Sequence, residues 1–270
     1  MALAVLALAL PAPAIAGDGE GTLRLDPPGP FVVGSYCTIK FTFTVGPSGI
    51  RPGGGIVIRM REVFPLIFAP PQTRDPKGVG FVTASCSRPG ARLKVSVRRY
   101  RKPVWVERHD IVVLVEGEAL RPGDRIVVVY GDRSFGGPGG RVARLIQVDD
   151  VPVGAASDVD GDGKFADLRE FPKVSIVGTD AVRLDCYAPS IAVVGKPVRL
   201  TVVARDTYGN VSPRFEGALS VECTDERAKI PQTLRLRPED GGVLAFEAVF
   251  ETPGFHWVSV KPLTKARPLV

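Results

Sequence analysis

The fold class follows from the stretch Cys37-Thr-Ile-Lys-Phe-Thr-Phe-Thr-Val45. From Ile39 to Val45, apolar side chains alternate with Thr and Lys, which is the two-residue period of a β-strand with one buried and one wet face. Threonine suits the wet face because its branched side chain fits a pleated, extended backbone. The stretch therefore predicts one strand of a half-buried sheet.

Similar strands recur on both sides of this stretch. The clearest are Ile56–Met60, Asp110–Val115, Asp124–Tyr130 and Pro197–Arg205. We predict that Gly80–Ser85 and Ala91–Val97 form a hairpin with each other. The 30 Gly and 25 Pro residues fall between apolar runs, where they favour tight turns. Because nothing in the pattern is clearly helical, we predict an all-β protein.

The 270 residues leave room for two domains of ordinary size. We predict two β-sandwiches in tandem, joined by an Asp/Gly-rich acidic linker. The second is predicted to be immunoglobulin-like, because turn signals recur about every eight to twelve residues in it. The predicted segments are a signal peptide (1–16), the first sandwich (21–153), the linker (154–171), the second sandwich (172–262) and a tail (263–270).

The first residues have the features of an export signal. Met1–Leu10 is a short apolar run, and the small-x-small triplet Ala14-Ile-Ala16 follows it. This pattern predicts a secretory signal that is cleaved after Ala16, although no Lys or Arg precedes the run. We therefore expect a secreted, periplasmic or cell-surface protein. No later apolar stretch is long enough for a membrane helix, so we expect no transmembrane segment in the mature chain.

The four cysteines are Cys37, Cys86, Cys186 and Cys223. An even number in an exported chain, two in each predicted domain, favours one disulfide within each domain. Four cysteines allow three connectivities, between which the sequence does not choose. The alternative is four buried free thiols.

A dense cluster of carboxylates lies in Asp158-Val-Asp-Gly-Asp-Gly-Lys164. Alternate aspartates on a tight loop converge on one point, and a hard cation with oxygen ligands relieves their repulsion. We predict a structural Ca²⁺ site at the domain joint, made by Asp158, Asp160, Asp162, Lys164 and Asp167. Position 12 of the loop is Arg169, so the pattern is of the short type found outside helix-loop-helix proteins. The alternative is a solvated acidic linker without an ion.

The formal net charge of +6 favours an anionic partner such as a cell-wall polysaccharide. The sharpest basic cluster is Arg98-Arg-Tyr-Arg-Lys102, so Arg98, Arg99, Arg101 and Lys102 are candidate ligand-binding residues. The alternative is a polar hairpin tip, because charge runs are commonly solvated. We do not expect a nucleic-acid partner.

Several stretches resemble known families. The segments Val202–Asn210, Phe215–Gly217 and Phe250–Val258 resemble bacterial immunoglobulin-like domains of the invasin and filamin type. From Ile50 onward, with Gly123–Asp132 and the acidic loop, the chain is similar to the N-terminal region of a family of secreted bacterial proteins of unknown function. In that family, two β-rich parts precede a metal-dependent hydrolase domain similar to the polymerase-and-histidinol-phosphatase (PHP) fold. The resemblance implies that such a hydrolase is the partner of this chain.

Catalytic motifs are scarce in the sequence. The chain has two histidines, His109 and His256, and neither lies in a His-x-His spacing, whereas a hydrolase of the PHP type gathers several imidazoles around its metals. The Gly-x-Ser-x-Gly pattern of a nucleophile elbow is missing too. A lone tryptophan in a sandwich favours a core position over sugar stacking, and this applies to Trp105 and Trp257. We therefore predict a non-catalytic spacer or substrate-presenting module, with a surface module that binds an anionic glycan as the alternative.

Overall fold

The computed structural model describes residues 17–60, 67–101, 107–145 and 147–263. The predicted signal peptide, Trp105 and all of the tail except Leu263 lie outside these residues.

The described part contains twenty strands, a single 3-10 turn (Pro238–Asp240) and no α-helix. The first ten strands are β1 (Thr22–Asp26), β2 (Phe31–Val32), β3 (Tyr36–Cys37), β4 (Ile39–Thr44), β5 (Gly55–Met60), β6 (Val82–Cys86), β7 (Ala91–Arg101), β8 (Glu107–Gly117), β9 (Arg125–Tyr130) and β10 (Gly140–Arg141). The other ten are β11 (Val148–Pro152), β12 (Gly154–Asp158), β13 (Ala166–Asp167), β14 (Lys173–Val177), β15 (Arg183–Tyr187), β16 (Pro197–Arg205), β17 (Gly217–Cys223), β18 (Thr233–Leu236), β19 (Val243–Val249) and β20 (Val258–Pro262).

Two main sheets form the N-terminal part. One has the strand order β1-β4-β9-β6 and the other β13-β12-β5-β8-β7. Their facing side chains share one buried cluster, which includes Phe41 and Phe43 from β4 and Ile58 and Ile111 from β5 and β8. The alternation along β4 produces this core: Phe41 and Phe43 are each 1% exposed, whereas Lys40 faces solvent and Thr42 is only half-buried. Two smaller sheets have the strand orders β11-β14-β2 and β10-β3.

The C-terminal part has two three-stranded sheets, β15-β16-β19 and β18-β17-β20. A second buried cluster lies between them and includes Leu200, Leu219, Leu236 and Phe246. The predicted all-β sandwich fold is confirmed. The finer prediction of two tandem immunoglobulin-like domains stays a prediction.

Strand partners differ from expectation in one hairpin. β6 and β7 do not pair with each other; β6 joins β9 and β7 runs along β8 over its full length. Periodicity predicts which face of a strand is buried, but it does not identify the neighbouring strand. The predicted hairpin between Gly80–Ser85 and Ala91–Val97 is therefore wrong, although both strands exist.

The predicted acidic linker also differs from the structure. Gly154–Asp158 is a strand that pairs with β5 in register, and all five of its residues are buried. β14, predicted to open the second sandwich, places Val174 and Ile176 in the first buried cluster. The second cluster begins at Ala181, so the change from one core to the other falls between β14 and that residue. Gly154–Asp158 and Ala166–Asp167 therefore belong to the N-terminal five-stranded sheet, whereas residues 160–164 between them form an exposed loop.

The two parts touch near the turn after β16. The Asn210 side chain donates from Nδ2 to the Arg144 carbonyl oxygen at 3.0 Å, and the Val211 amide donates to Oε1 of Gln147 at 3.0 Å. Tyr208 packs against the first buried cluster. The described residues contain no helix with the length and hydrophobicity that a membrane span requires.

Candidate metal centre

The acidic loop begins at the buried end of β12. Asp158 is the last residue of that strand and its exposed fraction is 0%. Two tight turns then follow, made possible by Gly161 and Gly163 with φ of +86° and +84°. A Cβ atom at Gly161 would lie 3.1 Å from both the Gly54 nitrogen and the Pro52 oxygen. Glycine is therefore required at Gly161 for the loop to lie against the turn before β5.

Four aspartates converge in this loop. Carboxylate oxygens of Asp18, Asp158, Asp160 and Asp162 all lie within 4.8 Å of one another. We call these four residues the aspartate cluster. Three of them were predicted from the spacing of the loop, so the structure brings the predicted side chains together. Asp18 comes from the N-terminal segment and was not predicted.

Backbone amides hold the carboxylates in place. Asp158 accepts from Gly161 at 2.7 Å and from Gly163 at 3.0 Å, one amide on each of its oxygens. Asp160 accepts from the amide of Asp162 at 3.0 Å, and Asp18 accepts from that of Val159 at 2.8 Å. Because a carboxylate offers about four lone-pair sites, these bonds orient the oxygens and leave capacity for a cation.

Lys164 lies beside the cluster as an internal cation. Its ammonium is 2.5 Å from Oδ2 of Asp162, and both side chains reach solvent. The hydrogen bond from Lys164 lowers the pKa of the Asp162 carboxyl, and the same bond raises the pKa of Lys164. An ammonium has no lone pair to give to a metal, so the side chain of Lys164 competes with an ion.

Asp167 is directed elsewhere. Its carboxylate pairs with the guanidinium of Arg59 on β5, and it does not belong to the aspartate cluster. Arg59 lies opposite Asp110 of β8, which lies opposite Arg98 of β7. Asp167 therefore ends a row of alternating charges across the sheet, which explains why it does not turn toward the loop.

The predicted basic cluster is only partly described. Arg98 and Arg99 are exposed and lie within β7, not at a hairpin tip. The side chain of Arg101 and all of Lys102 lie outside the described residues. Arg108 of β8 stacks over the ring of Tyr100, with its Cζ 4.4 Å from the ring centroid. Along one face of β7, the exposed residues include Arg92, Lys94 and Arg98.

The predicted disulfides are not formed. Cys37, Cys86, Cys186 and Cys223 are all free thiols. Cys37 donates to the Gly140 carbonyl oxygen at 3.4 Å, whereas Cys86 lies 3.6 Å from the carbonyl oxygens of Arg88 and Ala91. Burial raises the pKa of the Cys37 thiol to about 12. The two sulfurs thus contact different segments of the chain, and the partners of both are backbone carbonyls.

Trp257 differs from the prediction of a core tryptophan. Its side chain is 78% exposed, next to Phe255, which is fully exposed. His256, between them, is half-buried. His109 is buried in β8. Sequence alternation could not identify the exposed pair, because both aromatics lie in the turn before β20.

No known protein-family profile matches this sequence, and no curated protein is significantly similar to it. The family resemblance described above therefore stays a prediction.

Proposed function

We propose that this chain is a non-catalytic, exported β-sandwich module whose aspartate cluster binds a structural Ca²⁺. We propose further that it serves as a spacer or substrate-presenting region for a PHP-like hydrolase. The observation that carries the calcium proposal is the convergence of four carboxylates, with oxygens within 4.8 Å of one another.

The distance suits calcium. Ca²⁺ takes oxygen ligands at about 2.3–2.6 Å, so two ligands on opposite sides of the ion are about 4.6–5.2 Å apart. The carboxylate oxygens of the aspartate cluster lie within 4.8 Å of one another, a distance that a single Ca²⁺ can bridge. Backbone carbonyls and water would supply the rest of the six to eight ligands that calcium usually takes. A divalent ion also offsets the mutual repulsion of the four carboxylates.

The position of the site supports a structural role. Asp158 ends a buried strand, whereas Asp18 belongs to the segment that precedes β1. The amide of Gly19 also donates to the Ser157 hydroxyl at 3.0 Å, so the N-terminal segment already lies on β12. An ion shared by Asp18 and Asp158 would fasten this segment to the five-stranded sheet.

The lack of a catalytic role is inferred from the composition of the chain. The whole sequence has two histidines, and these lie in different parts of the protein, His109 on β8 and His256 before β20. Neither belongs to the aspartate cluster. A hydrolytic centre built on several imidazoles would therefore have to come from a separate domain or chain. The nucleotide sequence after codon 270, or an adjacent reading frame, tests this: a gene for an unrelated protein there would argue against the hydrolase partner.

Calcium titration by calorimetry tests the site. We expect one site in the wild type, and at least a ten-fold loss of affinity in Asp160→Asn and in Asp18→Asn. Asp150→Asn is the matched control, because it removes one exposed carboxylate that pairs with Lys173 on a different sheet. The proposal would be refuted if the wild type gave no measurable heat of calcium binding, or if Asp160→Asn bound calcium with unchanged affinity. If Asp18→Asn bound calcium with unchanged affinity, the site would consist of the loop residues alone.

A second candidate function is binding of an anionic glycan to β7. The exposed face of this strand carries Arg92, Lys94 and Arg98, and residues two apart on a strand are about 6.6 Å apart. Ser96 lies between Lys94 and Arg98, so the cations are unevenly spaced, but all three lie on one face and suit a polyanion. Elution from immobilised heparin at lower salt in Lys94→Ala than in Lys173→Ala, which also removes one positive charge, would support this function, and equal elution would contradict it.

A further inference from the structure

The far end of the C-terminal part carries a groove with exposed aromatic side chains. The connection between β15 and β16 forms one wall, and the connection between β19 and β20 forms the other. The volume of the groove is about 440 Å³. Phe255 and Trp257 are 102% and 78% exposed on one wall, and Ile191, on the connection that forms the other wall, is 85% exposed. Large apolar side chains that are this exposed beside a groove are candidates for contact with a ligand.

Hydrogen bonds anchor both ends of the segment that forms the aromatic wall. The amide of Trp257 donates to Oγ1 of Thr224 at 2.8 Å, and the Thr224 amide donates back to the Trp257 carbonyl oxygen at 3.1 Å. At the other end of the turn, Oδ2 of Asp225 accepts from the amides of Glu251 at 2.8 Å and Thr252 at 3.1 Å. A ligand would therefore meet a loop whose two ends are already fixed, which reduces the entropy lost on binding.

Polar groups lie among the aromatic ones. Nε2 of His256 is 2.9 Å from the Thr252 carbonyl oxygen, to which it donates because a carbonyl oxygen only accepts. This leaves Nδ1 as the second polar atom of the ring. The hydroxyl groups of Thr252 and Ser190 also line the groove. The lining residues include no Asp, Glu, Lys or Arg, so the groove presents hydrogen-bonding groups without a formal charge.

We infer that this groove binds an uncharged pyranose unit of a glycan, with the sugar ring against Trp257 and Phe255. The C–H face of a pyranose is apolar and flat enough to pack on an indole or phenyl ring, while its rim of hydroxyl groups needs neutral donors and acceptors. Rigid aromatic side chains with a few placed polar groups are the usual composition of a small-ligand site. The concave shape and the imidazole and hydroxyl groups within it favour a saccharide over a flat lipid surface.

The site is independent of both functions proposed above. It shares no residue with the aspartate cluster, and it lies on the C-terminal sheets whereas the basic row lies on β7. Its ligand also differs in charge from the anionic polymer that the row on β7 would take. A failure of the saccharide test therefore leaves the calcium proposal untouched, and the reverse also holds.

Affinity electrophoresis of the full chain tests the inference, with gels that contain hydroxyethyl cellulose, xyloglucan, galactomannan or soluble glycol chitin. We expect retardation in at least one of these gels, with little change between low and high salt because no ion pair is involved. Trp257→Ala should weaken the binding at least ten-fold, and Trp257→Phe, which keeps a ring, should weaken it less. Val243→Ala is the matched control, since Val243 is 41% exposed at the opposite end of β19.

Thermal unfolding of each variant verifies that the fold is intact, which we expect because Trp257 is mostly outside the core. Wild-type protein that migrates freely in all four gels, or Trp257→Ala with undiminished retardation, would overturn the inference.

Two further measurements test other occupants of the groove. Binding to vesicles of phosphatidylcholine and phosphatidylglycerol tests a membrane, and sedimentation velocity tests a second copy of the chain. Trp257-dependent binding to vesicles, or Trp257-dependent dimers, without retardation in any gel would assign the groove to a membrane or to a second copy and would also refute the saccharide.

Discussion

At the scale of single residues, the aspartate cluster is defined by competition between cations. Asp162 already has the ammonium of Lys164 at 2.5 Å, yet the Lys164 side chain is 83% exposed. An ion pair this exposed is weak, because water and salt screen it and the long side chain loses entropy. Lys164 therefore lowers the apparent affinity for a divalent ion without preventing binding.

We predict that Lys164→Gln binds Ca²⁺ roughly two- to five-fold more tightly than the wild type, since the displaced ion pair is a weak surface pair. Calorimetric titration of both proteins in the same buffer measures the difference. Lys173→Gln also removes one positive charge, but it does so at the exposed pair with Asp150, so its affinity should stay close to the wild-type value. Equal gains in the two variants would indicate a general charge effect and no local competition.

The sequence predicted this site only as far as local spacing reaches. Asp158, Asp160 and Asp162 are brought together by two tight turns, and a turn is a property of adjacent residues. Asp18 is 141 positions before Val159, whose amide it accepts from, so only the pairing of distant segments places it there. Asp167 was included for its proximity in sequence, but Arg59 from a neighbouring strand binds it.

At the scale of elements, the turn after β16 depends on one buried carboxylate. Asp206 is 0% exposed. It accepts from the amides of Thr179, Tyr208 and Asn210 at 2.8–3.0 Å. Burial alone would raise the pKa of Asp206, but these hydrogen bonds outweigh it and hold the pKa below its usual value. The charged form is therefore the one that fits the turn.

We predict that Asp206→Ala lowers the free energy of unfolding at pH 7 by about 2–3 kcal/mol, because several buried amides lose a charged acceptor. A group with a lowered pKa stabilises the fold above its unfolded value of about 3.9, and this contribution is lost as the pH falls through the folded pKa. The difference in the free energy of unfolding between the wild type and Asp206→Ala should therefore become smaller below about pH 4. Urea unfolding from pH 7 to pH 3 measures it.

Asp180→Ala is the control for this series, because Asp180 is 93% exposed in a surface pair with Arg214. We expect almost no change in stability from it at any pH. A loss in Asp206→Ala that stays constant from pH 7 to pH 3 would mean that the charge of Asp206 does not hold the turn.

Strands were predictable where large and polar side chains alternate, and less so elsewhere. β4 was found from its sequence because Phe41 and Phe43 define its buried face. β12 was missed because Gly154-Ala-Ala-Ser-Asp158 buries small and polar residues, which look like a linker in the sequence. Its burial comes from position: β5 lies on one side and β13 on the other. Central placement in a sheet is a tertiary effect that residue size does not encode.

At the scale of the whole molecule, the aspartate cluster lies on the N-terminal sheets, which enclose the first buried cluster. β12, which carries Asp158, also places Ala155 in the first cluster, whereas the second cluster draws on β15 to β20 and their connections. The sequence suggested an ion at the joint between the two parts. In the structure, the joint lies instead at Arg144, Gln147, Tyr208 and Asn210, which do not belong to the aspartate cluster. An ion in the cluster would therefore act on the N-terminal sheets.

We predict that saturating Ca²⁺ stabilises the N-terminal core selectively. A ligand that binds only the folded state adds about 2.7 kcal/mol when its free concentration is 100 times its dissociation constant. Differential scanning calorimetry should show that the N-terminal core unfolds at a higher temperature with calcium than with a chelator. Hydrogen exchange should slow at the amides of Gly19 and Val159, which already bond to Ser157 and Asp18.

The same measurements on Asp160→Asn separate a specific site from general ion effects. In this variant, calcium should leave the transition temperature and the exchange of Gly19 unchanged, because the cluster has lost a charged ligand. The amides of β16 and β19 in the C-terminal part should exchange equally with and without calcium in both proteins, since no residue of these strands belongs to the cluster. Calcium that slowed exchange in β16 as much as at Gly19 would place the ion, or its effect, at the joint and not in the N-terminal sheets.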